Sequence, residues 1–264
     1  MIQISQLKLP ISHTEADLRQ KIKKTLRCGE TLFSYEIIRQ SLDARHKEDK
    51  KFVYTVHVKA ENEKKILKKV HSNNVMSTNE RHYSFPKPGD QPLETRPVIV
   101  GSGPAGLFCA WYLARAGYRP LVLERGEEAD KRMETVNRFW KNGVLDPESN
   151  VQFGEGGAGT FSDGKLNTLV KDSSGRNREV LKRFTEAGAD PEILYQQKPH
   201  LGTDVLVNIV QTMRRQIEEM GGTFRFRSKV TDLYTENGKL KAVEINHTEQ
   251  VPAQVCVLAV GHSA

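Results

Sequence analysis

Apolar residues recur with a period of two in several short stretches of the first 90 residues. Successive side chains of a β-strand point to opposite faces, so this period predicts strands with one buried face. In one stretch, Phe52, Tyr54, Val56 and Val58 alternate with polar or smaller residues. The predicted strands are Ile2–Leu9, Tyr35–Leu42, Phe52–Val58 and a last strand within residues 74–85.

Two helices are predicted between these strands. Thr14 begins a capping-box pattern with Asp17, and Leu18, Ile22 and Leu26 follow on one helical face. A shorter helix is predicted around residues 61–70. The order strand, helix, strand, strand, helix, strand is that of a small α+β ferredoxin-like domain, a topology that hosts many functions and names none.

The most informative pattern begins with a short buried strand, Val98–Val100. It leads into G-x-G-x-x-G at Gly101, Gly103 and Gly106, and then into an apolar helix that ends at Gly117. The first glycine permits a tight turn, the second lets the backbone approach a pyrophosphate, and the third lets helix and strand pack closely. The helix start adds unpaired N–H groups and a partial positive charge, which favour phosphate.

A second strand, Pro120–Leu123, ends at Glu124, 18 residues beyond Gly106. A carboxylate at this place accepts the hydroxyl groups of an adenosine ribose. It would repel a 2′-phosphate about 4 Å away by a few kcal/mol at an effective dielectric constant near 20. The pattern therefore predicts a dinucleotide site that prefers FAD or NAD, whereas a turn that only packs helix on strand needs Gly106 alone.

The later elements favour FAD over NAD. The predicted elements are a helix after Leu201–Asp204 with Leu206, Ile209, Val210, Met213 and Ile217 on one face, a strand over Thr223–Val230, a hairpin over Asp232–Ile245 and a strand over Gln254–Val260. About 100 residues thus separate the second strand from the next strand of the fold. In a compact NAD domain, β-α units follow one another closely.

Charge divides the chain near residue 90. Residues 1–90 carry 18 Lys and Arg against 11 Asp and Glu, while residues 91–264 carry 22 of each. The proline-rich stretch 85–92 indicates a linker. We predict a basic domain at 1–90 and an α/β, Rossmann-like FAD-binding domain at 91–264, interrupted by an insertion at about 127–200.

Several classes of protein are excluded by the sequence. No apolar run approaches the roughly 20 residues of a membrane span, and the first residues lack the pattern of a secretory signal, so we expect a cytoplasmic protein with no membrane partner. Cys28, Cys109 and Cys256 are too widely spaced for a disulfide scaffold or a four-cysteine metal site. The eight histidines lack metal-ligand spacing, and no metal is expected.

A second G-x-G-x-x-G sequence occurs at Gly154–Gly159. It follows a poor strand and does not open a clear helix, so it lacks the context of a second nucleotide fold. It predicts a loop whose backbone can approach a flat or charged ligand closely. A mobile surface loop is the alternative interpretation.

With these features, residues 96–264 resemble the N-terminal part of the glutathione-reductase-like FAD superfamily. There, G-x-G-x-x-G and a terminal Glu are followed by an insertion, a hairpin and an ATG-like strand end, here Ala259-Val260-Gly261. The whole chain is similar, more narrowly, to a bacterial family of FAD-dependent dehydrogenases or NAD(FAD)-utilising oxidoreductases. The distinguishing stretches are Phe153–Leu166 and Lys198–Asp204.

The resemblance implies that the first glycines and Glu124 hold the ADP half of FAD, that Val230 lies beside the adenine, and that the 154–165 loop lies near the flavin. The residues expected to bind the cofactor are Gly101, Ser102, Gly103, Pro104, Ala105, Gly106, Glu124, Arg125, Gly157, Gly159, Thr160, Val230 and Gly261. Members of the family continue well beyond this strand end. The chain by itself is therefore expected to be a C-terminally incomplete and inactive part of the enzyme.

The sequence offers three weak candidates for catalysis. Lys165 and Asp163 follow the second glycine run, and a cation near the flavin pyrimidine would stabilise the anionic reduced ring. An ordinary ion pair of a loop is the alternative. His200 precedes a helix and could serve as acid or base, although a lone histidine is more often structural.

Two functions stay open at this point. The leading one is an FAD-dependent oxidoreductase that transfers a hydride between FAD and NAD(P)H or an unknown small-molecule substrate. The other is an RNA-associated flavoprotein whose basic first domain binds nucleic acid, because a sheet with net charge +7 attracts phosphates. That domain lacks the aromatic RNP motif, and a solvated positive face or docking onto the flavin domain would also explain its charge.

Overall fold

The computed structural model describes residues 1–29, 31–79, 82–162, 164–166 and 172–261, which form two compact units. The first unit comprises Met1–Phe85 with the described residues of Asn167–Thr185 and Asp190–Pro199. The second comprises Pro86–Leu166, Glu186–Ala189 and the described residues from His200 onward. The chain therefore leaves the first unit at Phe85 and later returns to it twice.

The first unit is built on a four-stranded antiparallel sheet with the strand order β2-β3-β1-β4. Its elements are β1 (Ile2–Pro10), α1 (Glu15–Leu26), β2 (Phe33–Asp43), β3 (Lys51–Ala60), α2 (Glu63–Lys69) and β4 (Val75–Ser77). This is the ferredoxin-like topology that the sequence predicts.

Helix α1 begins at the predicted cap. Thr14 Oγ1 accepts the N–H of Asp17 at 3.3 Å, and the Asp17 carboxylate accepts the N–H of Thr14 at 2.8 Å. Together these two bonds complete the capping box. The three predicted core residues of the helix are buried and pack in one cluster with the alternate side chains of β3.

The second unit begins with the strand, glycine turn and helix that the sequence indicates. Its first elements are β5 (Val98–Val100), α3 (Pro104–Arg115), β6 (Leu121–Leu123), α4 (Ala129–Asn142) and a 3-10 helix at Gly157–Phe161. Strands β5 and β6 pair in parallel. Gly106 allows α3 to pack closely on β5, because a Cβ at this position would overlap the carbonyl oxygen of Gly101.

The returning segments cover the edge and one face of the sheet in the first unit. Helix α5 (Arg176–Glu186) carries Arg178, whose guanidinium pairs with Glu36 of β2. The N–H of Gln40 at the edge of β2 donates to Tyr195 O at 2.7 Å, and Gln40 O accepts the N–H of Gln197 at 2.9 Å. The insertion thus adds backbone hydrogen bonds to an edge strand.

The remaining elements complete the second unit. They are α6 (Thr203–Glu219), β7 (Thr223–Arg225), β8 (Val230–Glu236), β9 (Lys239–Ile245), β10 (Glu249–Pro252) and β11 (Cys256–Leu258). The parallel sheet has the order β11-β5-β6-β7. Numbered along the chain and counted from β7, its strands have the 3-2-1-4 order of a Rossmann-like fold. Strands β8 to β10 form an antiparallel meander whose apolar side chains join the core of the parallel sheet.

The structure corrects one predicted strand and adds two helices. A strand begins at Thr223 as predicted, but the predicted end at Val230 is wrong, because β7 ends at Arg225 and Val230 begins β8. Arg227 has a φ of 53°, and its N–H donates to Gly126 O, so the chain turns across the end of β6. Sequence analysis also missed α4 and α5 inside the insertion. Among the helices that the structure describes, none has both the length and the apolar composition needed to cross a membrane.

The glycine turn yields a prediction about stability. Gly106→Ala would force α3 away from β5, and we expect it to lower the free energy of unfolding by about 2 to 4 kcal/mol. Gly103→Ala is the matched control, since its Cβ would meet no atom closer than Gly157 Cα at 3.9 Å. We expect this control to change stability by about 1 kcal/mol or less. Urea unfolding measures both, and equal losses would contradict the close-packing argument.

Candidate functional site

A cavity of about 670 Å³ lies at the carboxyl end of the parallel sheet in the second unit. Within the sheet, β6 lies on one side of β5 and the later strand β11 lies on the other side. Such a reversal of strand order leaves a crevice where α/β proteins bind ligands. The cavity walls come from the first glycine turn, the end of β6, part of the 152–158 segment, the start of β8 and the residues after β11.

The first glycine turn brings the start of α3 to this cavity. Gly103, Pro104 and Ala105 all line it. Gly103 is the N-cap, and its carbonyl accepts the N–H of Leu107 at 2.9 Å. The N–H groups of the first turn of a helix have no partner within the helix and carry a partial positive charge. This wall is therefore suited to phosphate oxygens.

Glu124 lines the cavity but is also tied into the fold. It is 4% exposed. Its Oε2 accepts the N–H and the hydroxyl of Ser102, both at 2.8 Å, and its Oε1 accepts the N–H of Gly126 at 2.9 Å. A carboxylate has about four lone-pair positions, so about one remains for a ligand. Glu124 joins the end of β6 to the glycine turn as well as facing the cavity.

The second glycine-rich segment packs directly on the first. The N–H of Gly156 donates to Ser102 O at 2.9 Å. A Cβ on Gly157 would lie 3.3 Å from Gly103 Cα, which shows how closely the two backbones approach. Gly154, Gly157 and Ala158 line the cavity opposite α3. The two G-x-G-x-x-G sequences therefore form adjoining walls of one cavity.

Arg132 of α4 organises this second segment. Its side chain is fully buried. The guanidinium nitrogens lie 2.7 to 2.9 Å from five hydrogen-bond acceptors, three of them shared by the two hydrogens of Nη1, and every acceptor lies between residues 150 and 160. The acceptors are the carbonyl oxygens of Asn150, Val151, Glu155 and Gly157 and the hydroxyl of Thr160.

Glu155 holds the same segment against two helices. Its carboxylate is fully buried. Oε2 accepts the N–H of Ala129 at the start of α4 at 2.8 Å, and Oε1 lies 3.0 Å from Nε of Arg214 in α6. Burial raises the pKa of Glu155 to about 7, against the opposing influence of Arg214 and of the Ala129 N–H.

The structure brings most of the expected cofactor residues to one place. Those that line the cavity are Gly101, Gly103, Pro104, Ala105, Glu124, Arg125, Gly157, Val230 and Gly261. Ser102 and Thr160 are buried and bind Glu124 and Arg132, respectively. Gly106 packs α3 on β5, and Gly159 is exposed in the 3-10 helix and does not line the cavity.

The candidate catalytic residues lie in a separate part of the second unit. Lys165 and His200 pair in an isolated antiparallel bridge, and the N–H of Leu201 donates to Gly164 O at 2.9 Å. Both residues are described, and neither lines the cavity. Asp163 lies outside the described residues. The two distinguishing sequence stretches therefore meet through their backbones.

Sequence analysis missed the roles of Arg132 and Glu155. One signal was present: Ala129, Arg132 and Val136 are spaced as one helical face, and all three are buried. A charged residue within an otherwise apolar helical face indicates that hydrogen-bond or ion-pair partners are buried around it. Glu155 gave no such signal, because a glutamate between glycines also fits an exposed loop.

Comparisons with known proteins agree with the fold. Residues 99–154 match the family described as an NAD(P)-binding Rossmann-like domain, and residues 1–59 match a family described as Domain of unknown function (DUF8436). The match agrees with the Rossmann-like fold of the second unit, within a mixed α/β protein.

Three relatives illustrate how far the similarity extends. An uncharacterized protein of Clostridium beijerinckii is 43% identical over 264 residues, which cover 100% of this chain and 49% of that protein. Thiamine thiazole synthase of Saccharolobus islandicus is 40% identical over 70 residues, 26% of this chain and 22% of that protein. The structure of Thermovibrio ammonificans THI4 aligns with a TM-score of 0.39 and 21% identity, over 64% of this chain and 58% of that one. The chain spans about half the length of the Clostridium relative.

The raised pKa of Glu155 predicts a pH-dependent stability. The pKa of the Glu155 carboxyl is about 7 in the folded protein, whereas its ordinary value, which applies to the unfolded chain, is 4.5. The folded protein therefore binds this proton more tightly. The protonated carboxyl therefore contributes its full stabilisation of the folded state below pH 4.5, and this contribution is lost as the pH rises through 7. Glu155→Gln cannot titrate at this position. We expect the free energy of unfolding of the wild type, relative to this variant, to fall by about 2 to 3 kcal/mol between pH 5 and pH 8.

Urea unfolding of both proteins across this pH range measures the difference. Groups that titrate elsewhere cancel in the comparison. A constant difference between the two proteins would show that Glu155 titrates normally in the folded state.

Proposed function

We propose that this chain forms the FAD-binding part of an FAD-dependent oxidoreductase. The observation that carries the proposal is the cavity at the switch point of the parallel sheet, walled by two glycine-rich backbones and bordered by Glu124. The glycines in both walls let a long, partly planar dinucleotide approach the backbone closely.

The residues present fit the parts of FAD. The start of α3 at Gly103 and Ala105 would hold the pyrophosphate through N–H groups. The remaining lone-pair position of Glu124 would accept one ribose hydroxyl, and Val230 and Leu258 offer apolar contact for the adenine. When bound, FAD supplies a ring that accepts or donates a hydride. The protein binds and orients it and limits its contact with water.

The electron donor or acceptor is NAD(P)H or a small-molecule substrate in this proposal. Lys165 and His200 stay candidates for a positive charge or a proton donor in this proposal, although neither lines the cavity, and their segments are joined by the bridge between them. The bridge fixes the spacing of two backbones that lie 35 residues apart in sequence. Preorganised charge of this kind is how proteins tune a flavin.

The nucleic-acid alternative gains no support from the first unit. Sheets that bind single-stranded RNA stack bases on aromatic side chains of the face without helices. Here Tyr35, Phe52 and Tyr54 belong to the cluster that packs with α1. On the opposite face, His57 and Glu36 line a cavity of about 330 Å³ together with Arg178 of α5. This face is therefore directed at a segment of the same unit.

Gly103→Val tests the cofactor assignment. A valine at this position would place side-chain atoms on the cavity wall at the start of α3, close to Gly157, where the pyrophosphate is proposed to bind. We expect the variant to purify folded but without bound flavin, as measured by absorbance near the flavin maxima and by circular dichroism. Gly103→Ala serves as the smaller step. Flavin content equal to the wild type in the valine variant would refute the assignment.

Glu124→Ala tests the ribose contact. One charge-assisted hydrogen bond contributes about 1.5 to 3 kcal/mol, so we expect FAD affinity to fall by roughly ten- to a hundredfold. The variant also loses the bonds to Ser102 and Gly126, and its unfolding is measured in parallel. Ser102→Ala keeps the carboxylate and both backbone bonds, and it controls for the loss of the hydroxyl bond to Glu124. Unchanged titration of the apoprotein with FAD would remove Glu124 from the site.

A further inference from the structure

The geometry points to Arg132 as a positioning residue of the dinucleotide site, which shapes the second glycine-rich segment into a cavity wall. The inference rests on the proposed function, because it assigns to that same site a residue that does not itself line the cavity. Three features of the Arg132 side chain support it: the hydrogen bonds of the guanidinium, its burial and the space that its aliphatic stem occupies.

All three nitrogens of the guanidinium bind one segment. An arginine has five N–H donors in a rigid plane. Nε and Nη2 bind the carbonyl oxygens of Asn150 and Val151, both at 2.9 Å, while Nη1 reaches Glu155 O at 2.7 Å and two further acceptors at 2.9 Å. A planar donor set of fixed directions leaves the acceptors little freedom. The segment between residues 150 and 160 therefore has one arrangement that satisfies them together.

Burial makes that arrangement energetically necessary. Arg132 is fully buried, and burial lowers its pKa to about 10, so it stays positively charged at neutral pH. A buried charge that loses its partners is strongly destabilising. The five acceptors are neutral oxygens, and Glu155 and Glu124 add a favourable field from further away. Any other path of the segment would leave donors of a buried cation unpaired.

The stem of Arg132 also explains a glycine in the wall. Gly154 has a φ of 123°, and a Cβ on it would overlap Cδ of Arg132. Gly154, Gly157 and Ala158 all line the cavity. The side chain therefore acts from behind the wall. It binds carbonyl oxygens of the segment, whose Gly154 and Gly157 bring backbone to part of the cavity surface beside Gln152 and Phe153.

A lysine cannot reproduce this role. Its ammonium is a compact charge with three donors, and it lacks the planar fork of arginine. Arg132→Lys keeps the charge and most of the volume of the side chain, while at least two of the five bonds are lost. This variant separates the geometry of the donors from their charge.

The experiment compares three variants of the protein. Arg132→Lys is the test, and Arg138→Lys on the exposed side of the same helix is the matched control. Val136→Ala removes a buried methyl pair of α4 and controls for lost stability without lost hydrogen bonds. For each protein we measure thermal unfolding, amide hydrogen exchange in residues 150–161 and the dissociation constant of added FAD.

We expect Arg132→Lys to speed exchange in residues 150–161 and to weaken FAD binding at least about tenfold, which is 1.4 kcal/mol. Arg138→Lys should match the wild type in all three measurements. Val136→Ala should lower the midpoint of thermal unfolding and leave FAD affinity within about twofold. A stability loss alone would not separate these two buried positions, whereas the affinity does.

Two results would overturn the inference. One is wild-type exchange in residues 150–161 of Arg132→Lys, and the other is faster exchange with unchanged FAD affinity. If the wild type itself does not bind FAD, the proposed function fails, and hydrogen exchange alone decides whether Arg132 shapes the segment. Faster exchange in Arg132→Lys but not in Arg138→Lys then supports that shaping role.

Discussion

The close approach of Gly106 to the carbonyl group of Gly101 sets the distance between α3 and β5, and the cavity depends on that distance. With the helix held against the strand, the first turn of α3 stands at the carboxyl end of the sheet, where Gly103 and Ala105 line the cavity. A helix start has N–H groups that need partners. The close packing of Gly106 thus brings the polar N–H groups of the first turn of α3 to the cavity at the end of the sheet.

Buried charges then determine the shape of the cavity around this turn. Glu124 ties the end of β6 to the turn through Ser102, while Arg132 and Glu155 tie the second glycine-rich segment to α4 and α6. Each of these charges is costly in a protein interior and is tolerated only with its partners in place. The same groups that make the fold specific therefore also make the walls of the cavity rigid. A preformed wall reduces the entropy that a ligand must remove on binding.

The first unit shows a different use of the insertion. Its ferredoxin-like sheet is completed by chain segments far away in sequence, through the backbone of Gln40 and the ion pair of Glu36 with Arg178. An uncovered edge strand is open to unwanted pairing, and a returning segment removes that risk. The edge of this sheet and part of one face thus contact another part of the same chain.

Local patterns in the sequence determined the elements whose signals are local. The capping box at Thr14, the alternation along β3 and the strand, turn and helix from Val98 onward depend on neighbouring residues only, and the structure has them where they are predicted. The hairpin of β8 and β9 and the buried face of α6 belong to the same class. Tertiary structure alone decided that the second glycine run adjoins the first and that Arg132 is buried. It also decided that Glu124 accepts most of its hydrogen bonds from Ser102 and Gly126. The bonds of Arg132 and the bonds between Ser102 and Glu124 join residues 18 to 28 positions apart, and the bond between Gly156 and Ser102 joins residues 54 apart. The energy of burying a charge depends on such distant partners, which no local pattern identifies.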